Sequence, residues 1–199
     1  GFDPRFSTGF QASARVMQLL YDTLVVKDAH FEYAPALADR WEESADHQTF
    51  TFKLRPGVRF HNGKPLTSAD VKYTFDSIRN PETKSPIRGA VDKITRIDAP
   101  DPLTVTFYAS EPFYSFWGNL PAIGIVPDNA GADNMDAPVG SGPFRFVSYS
   151  EGAMVQLEAN PDYWGGAPLI PRLRVKIVTD NSTRQAELMS GDVDLAFNA

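Results

Sequence analysis

No cysteine occurs anywhere in the 199 residues. That absence removes thiol nucleophiles, disulfides, thiolate zinc sites and iron–sulfur ligation together, and leaves the fold to non-covalent packing. Histidine is nearly as scarce. His30, His47 and His61 are scattered over expected loops and a strand end, without an H-E-x-x-H motif or any paired spacing that would suit zinc. An excess of positive charge is missing too. With 19 basic against 25 acidic residues the formal net charge is -6, which argues against a phosphate-backbone partner and so against nucleic acid. No apolar run reaches the length that a membrane-spanning helix requires. What is present is globular material, 42% hydrophobic and 12% aromatic, in a chain long enough to bury roughly 70% of its unfolded surface.

The most regular stretch is FTFKLRPGVRFHNGKPLT, residues 50–67. Phe50, Phe52 and Leu54 fall at every second position, as do Val58 and Phe60, so two strands are expected, joined through a turn at Pro56-Gly57. Asn62-Gly63 signals another turn. Thr67 and Asp70 then resemble a capping box, and Val71, Phe75 and Ile78 recur at helical spacing until Asn80-Pro81 stops the run. Before this stretch, Val16, Leu19, Leu20 and Leu24 predict a helix over residues 12–24, and PALADRW at 35–41 reads as a helical turn burying Leu37 and Trp41. After it, alternating segments at 93–99 and 103–108 should pair antiparallel across Pro100-Asp101-Pro102. Phe113, Phe116, Trp117 and Leu120 fit a short helix, and the loop-like residues 127–138 mark a subdomain border.

Alternation returns in Phe144 and Phe146 and in Val155 and Leu157, with Glu151-Gly152 as the hairpin turn. NPDYWGGAP at 160–168 is dense in turn formers, and a strand through Leu173, Val175 and Ile177 follows. Ser182 and Gln185 suggest a capping box, Ala186 and Met189 continue that helix, and Gly191 is placed to end it. Val193, Leu195 and Phe197 read as a last strand.

Motifs that could carry chemistry each have a plainer reading. Gly140-Ser141-Gly142 could cradle a phosphate, but Arg145 stands at the sixth position of G-x-G-x-x-G and Pro143 removes an N–H, so a structural turn is expected. Asp192 and Asp194 would share one face of a strand and could hold a cation, although no third acidic residue follows at metal-loop spacing. Ser141 lacks the G-x-S-x-G setting of a hydrolase nucleophile. Trp41, Trp117 and Trp164 are expected to pack against the core. The STGFQ loop at 7–11 differs in kind, because Ser7, Thr8, Gly9, Phe10 and Gln11 suit contact with a polar organic ligand and do little for a core.

Five segments in order, DPRFSTG, LLYDTLV, PALADRWEESADHQTFTFKLRPGVRFHNGKPLTSADVKYTF, GSGPFRF and NPDYWGGAPLIPRLRVKIVTDNSTRQAELMSGDVDLAF, span nearly the whole chain. It resembles the family 5 extracellular solute-binding proteins, the dipeptide-, oligopeptide- and nickel-binding receptors of bacterial ABC importers. Ala45-Asp46-His47-Gln48 departs from the Asp-Gly turn common in that family.

The resemblance implies an α/β fold of periplasmic-binding-protein type II character: a lobe with a mixed β-sheet, made of residues 1–33 and 139–199, and an inserted α+β subdomain at 34–138. It implies a second lobe absent from this chain, and a leader outside it. The implied function is capture of a small solute, foremost a peptide, between two lobes and its delivery to ABC permease subunits, in the periplasm or at the outer face of a bacterial membrane. No catalysis, cofactor or metal is implied. Ligand-facing positions implied by the match are Thr8, Gly9, Phe10, Gln11, Phe197 and Asn198. Rival readings are a ligand-sensing domain of a regulator with the same fold, and a hydrolase using Ser141. Self-association of an isolated lobe is a further expectation.

Overall fold

The computed structural model describes residues 1–6 and 11–197, with Gln11 and Ala12 described by their backbone alone. After a 3-10 turn at Pro4–Phe6 comes helix α1 (Gln11–Leu20), then a two-stranded antiparallel ribbon of β1 (Val25–Lys27) and β2 (Tyr33–Pro35). Four strands build the central sheet: β3 (Ala38–Glu43), β4 (Thr49–Leu54), β5 (Ile94–Asp101) and β6 (Thr104–Ala109), in the order β3-β4-β6-β5. Helix α2 (Ser68–Arg79) interrupts this sheet in sequence, and the short α3 (Phe116–Asn119) follows it. A second sheet contains β7 (Phe144–Ser150), β8 (Met154–Ala159) and β9 (Arg172–Lys176), and α4 (Asn181–Ser190) comes after it. Every strand pairing among the described residues is antiparallel, so the parallel pairings of a mixed sheet are not among them.

The first core forms because β4 and β6 present alternate residues to one side. Phe50, Phe52, Val105 and Phe107 are fully buried, and α2 lays Val71, Phe75 and Ile78 against them. The Phe75 and Phe107 rings meet edge to face at 4.8 Å, and Phe116 closes on Phe107 at 5.2 Å. Each such ring removed from water is worth roughly 2–3 kcal/mol, which is why this helix and sheet hold together without a staple. On the opposite face the sheet is polar, with Lys53 Nζ donating to Thr104 Oγ1 at 2.8 Å. The start of α2 is fixed as expected, because the Thr67 N–H donates to Asp70 Oδ2 at 2.8 Å, and the helix stops at Asn80 before Pro81.

A second core joins α1 to the second sheet. Val16, Met17 and Leu20 of α1 pack with Phe2, Tyr21, Val126, Phe144, Val155 and Leu157. The β7–β8 hairpin turns at Glu151-Gly152, where Gly152 takes φ +66° as a tight turn requires.

Several expectations are corrected. Residues 38–41 are strand β3, with a register shift between Ala38 and Arg40, instead of a helical turn; Leu37 is buried and Trp41 half-buried. Val58 and Phe60 are buried but do not pair with β4, whose partners are β3 and β6; only a single bridge, Arg59 to Pro65, forms there. Helix α1 ends at Leu20, leaving Leu24 to the segment before β1. Asp180, not Ser182, caps α4, accepting from the Thr183 N–H at 2.8 Å, while Gly191 ends it at φ +81°. Residues 193–197 form no strand because no partner strand lies beside them among the described residues. In the departing turn, His47 itself takes φ +56°, the left-handed conformation that glycine usually supplies.

Candidate functional site

Of the expected ligand-facing residues, Thr8, Gly9, Phe10 and Asn198 lie outside the described residues, and Gln11 is described only as the first backbone residue of α1. Phe197 is described and is 52% exposed. The guanidinium carbon of Arg15 stands 4.0 Å from the centre of its ring. Helix α1 and the far end of the chain are therefore brought together in one wall, across the whole length of the sequence. Arg15 had no place in the sequence reading. Its one signal is position: it lies four residues beyond Gln11, and residues four apart share a helix face.

A polar junction ties the segment that follows α1 to the later part of the chain. Asp22, 8% exposed, follows α1 and accepts three hydrogen bonds from distant segments. Ser141 Oγ and Trp164 Nε1 each donate to its Oδ2 at 2.9 Å, and Tyr163 Oη donates to Oδ1 at 3.0 Å. Burial pushes the Asp22 carboxyl above its ordinary pKa, and these three neutral donors oppose that rise. The junction explains two of the sequence motifs at once: Gly-Ser-Gly contributes Ser141, and NPDYWGG contributes the two aromatic donors.

The same loop passes against the end of α1 with no room for a side chain at Gly140. A Cβ there would stand 1.8 Å from the Leu20 carbonyl oxygen. The Gly142 N–H donates to that oxygen at 2.9 Å. His61 clamps the loop from the other side. Its N–H donates to Gly140 O at 2.8 Å, its Nε2 faces Gly142 O at 3.0 Å, and its Nδ1 accepts from the Gly140 N–H at 3.3 Å. That pattern requires a neutral imidazole with its proton on Nε2, and burial lowers the His61 pKa to about 4.

The beginning of the chain is tied down by an ion pair 2.7 Å long between Asp3 and Arg5, both buried. Arg5 also donates to Tyr73 Oη and Ser77 Oγ of α2, at 3.2 Å each. Asn134 Nδ2 donates to Asp3 Oδ2 at 2.8 Å and to Tyr21 Oη at 3.1 Å. DPRF is thus an anchor that ties the 3-10 turn to α2 and, through Asn134, to Tyr21 just after α1, and burial beside Asp3 raises the Tyr21 phenol well above its ordinary pKa.

The geometry leaves little for nucleophilic chemistry at Ser141. Its hydroxyl is 1% exposed and donates to a carboxylate, and both ring nitrogens of His61 face backbone groups of the same loop. Asp192 accepts from Ser190 Oγ at 2.7 Å, and among the described residues no group of three or more His, Asp or Glu side chains converges on one point. Trp41, Trp117 and Trp164 all pack half-buried against the first core. Two shallow cavities, of about 330 Å³ beside Arg79 and Asp92 and about 280 Å³ beside Pro56 and Leu103, are lined by neither α1 nor residues 195–197.

Comparison with known proteins places the family and the fold. Residues 32–199 match the model of the bacterial extracellular solute-binding proteins, family 5 Middle. The glutathione-binding protein GsiB of Pectobacterium atrosepticum is 33% identical over 192 residues, covering 93% of this chain and 37% of that protein. The oligopeptide-binding protein AppA from Bacillus subtilis, solved in complex with a nonapeptide, superposes with a TM-score of 0.90 at 27% identity. NikZ from Campylobacter jejuni, solved with Ni(L-His), also gives 0.90, at 28% identity. In both structures the match covers 96% of this chain and 40% of the other. The chain therefore spans about two fifths of the length of these relatives.

Proposed function

The chain belongs to the bacterial extracellular solute-binding proteins of family 5, and from that premise we propose that it supplies one lobe of the solute receptor of an ABC importer. The observation that carries the reading is the contact of Arg15 on α1 with Phe197 near the far end of the chain, while the segment that follows α1 is tied separately to residues 141, 163 and 164 through Asp22. Ligand contacts come from Thr8, Gly9, Phe10, Gln11, Phe197 and Asn198. Residues 1–33 and 139–199 make the lobe and residues 34–138 an inserted subdomain, a division that most of the two hydrophobic cores follow, with Leu24 and Val25 crossing into the first core and Val126 into the second.

In this reading a second lobe outside the present span closes over the solute. A solute that touches both lobes binds the closed state more tightly than the open one, and that difference alone shifts the hinge equilibrium toward the form a permease reads. No bond is made or broken. Peptides are the solute class of choice, since relatives are named for glutathione and di- and tripeptides and one was solved with a nonapeptide. The receptor works outside the cytoplasmic membrane. An isolated lobe pairs with itself through the uncovered side chains of Met189 and Leu195, 89% and 67% exposed, which light scattering at high concentration would detect as a dimer and a monomeric mass would refute.

The test is a thermal-shift screen of the full-length protein against dipeptides, tripeptides and longer peptides. A bound solute at a hundredfold excess over its Kd stabilises by about 2.7 kcal/mol. A rise in melting temperature with one peptide class supports the reading; no response to any peptide contradicts it.

A further inference from the structure

Among the described residues three arginines lie within 4.4 Å of the centre of an aromatic ring, and two of them have evident structural work. Arg55 stacks on Trp164 at 4.4 Å and donates from Nε to Ala36 O at 3.3 Å. Arg96 stacks on Tyr108 at 3.9 Å and pairs with Asp98 at 3.4 Å. Arg15 is the third, 4.0 Å over Phe197. Unlike the other two, it makes no hydrogen bond or ion pair with any described residue. It is also half-buried, on a protein whose acidic residues outnumber its basic ones, where a carboxylate partner would be easy to find.

A guanidinium resting on a ring directs its N–H bonds within its own plane, outward past the ring edge. Held that way it is an ordered fork of donors, matched in shape to two carboxylate oxygens. Phe197 restricts the orientation of Arg15, which lowers the entropy lost when a ligand is gripped. The position is also right, since Arg15 lies one helical turn beyond Gln11 on the face that meets the chain's far end.

We propose that Arg15, stacked on Phe197, is a specificity-determining residue that receives the carboxylate of an anionic solute, foremost the C-terminal carboxylate of a bound peptide. This inference rests on the reading of the α1 wall as the ligand-binding wall. It adds what that reading leaves open, the charge of the group that the solute presents to this lobe.

The experiment is a calorimetric titration of the full-length protein with a panel of di- and tripeptides, each as the free acid and as the C-terminal amide, for wild type, Arg15→Gln, Arg15→Lys and Phe197→Leu. Wild type should prefer the free acid by about tenfold or more, the effect expected of a charge-assisted hydrogen bond pair. Arg15→Gln should bring the acid-to-amide ratio close to one, Arg15→Lys should restore part of it, and Phe197→Leu should reduce it by loosening the fork. Peptides with and without an Asp or Glu side chain tell whether the preferred carboxylate is terminal or lateral; either source supports the proposal if the preference disappears in Arg15→Gln. Melting temperatures without ligand confirm that the variants fold, as a helix-surface change should allow. If Arg15→Gln binds and keeps the wild-type ratio, the inference is overturned and the receptor reading stands. If wild type binds no member of the panel, both are overturned.

Discussion

Gly140→Ala is the substitution for which the structure sets the largest expected effect from the smallest chemical change. The added methyl would stand 1.8 Å from Leu20 O, where ordinary contact begins near 3.4 Å, and 2.7 Å from Leu20 C. Both are backbone atoms at the end of α1, so no side chain can swing aside. Either the helix end or the 140–142 loop must move by more than 1 Å. That movement breaks the Gly142-to-Leu20 hydrogen bond, loosens the His61 clamp and separates Ser141 from Asp22. Overpacking of this kind costs about 1–3 kcal/mol, and each hydrogen bond lost adds roughly 0.5–1.5 kcal/mol. The sum is on the order of 3–6 kcal/mol, which for a chain of this size lowers the melting temperature by roughly 6–24 °C. The control is Gly118→Ala within α3, where a Cβ meets nothing within 4 Å and the backbone is not left-handed. Alanine there should be neutral or stabilising by up to about 1 kcal/mol. Thermal and urea unfolding followed by circular dichroism reads both. A Gly140→Ala protein melting within about 2 °C of wild type would refute the close-approach argument, as would a Gly118→Ala protein falling equally far.

At Asp22, Asn keeps an acceptor for Ser141 and Trp164 while Tyr163 can turn its hydroxyl to accept, so Asp22→Asn should cost about 1 kcal/mol or less. Asp22→Ala strands one buried donor and two half-buried ones and should cost about 2 kcal/mol or more in urea unfolding; equal losses would sink the assignment. Because burial raises the Asp22 pKa above 3.8, its favourable contribution is full below that pH, is lost as pH rises through the folded pKa, and is level above it. The stability of wild type relative to Asp22→Asn should therefore decline over that interval; a gap that grows with pH would contradict the burial. His61 runs the other way. Its pKa, lowered from 6.5 to about 4, gives a contribution present above pH 6.5 and lost as pH falls through 4, up to roughly 3 kcal/mol. Proton NMR should show its ring signals flat down to pH 5, and a titration midpoint near 6.5 would be the contrary result.

Local rules made α2 legible because every signal lay within one stretch: Thr67 and Asp70 at the start, Val71, Phe75 and Ile78 along one face, Asn80-Pro81 at the end. The β5–β6 and β7–β8 pairs were legible for the same reason, with alternation on both sides of a recognisable turn. Strand β3 is not legible as a strand because a shift between Ala38 and Arg40 interrupts its pairing, and the Leu37-to-Trp41 spacing of four fits one face of a helix as well as one face of a strand. Val58 and Phe60 satisfied the strand pattern, but a pattern names no partner, and β6, half a hundred residues away, occupies the edge of β4 that they were expected to take. The buried polar groups were the least visible. Asp22 gains its meaning from partners 119 to 142 residues distant, and the hint available was a carboxylate set into the apolar run around Leu20, Tyr21 and Leu24. Ser182 was a sound capping residue by type, displaced by Asp180 one position before the helix.

The central claim is that a solute binds against α1 and the chain's far end. Hydrogen–deuterium exchange of the full-length protein, with and without a peptide that raises its melting temperature, tests this directly. The account predicts new protection at residues 11–20 and 193–197 on binding, with the β3–β6 sheet unchanged; protection confined to residues 34–138 would contradict it.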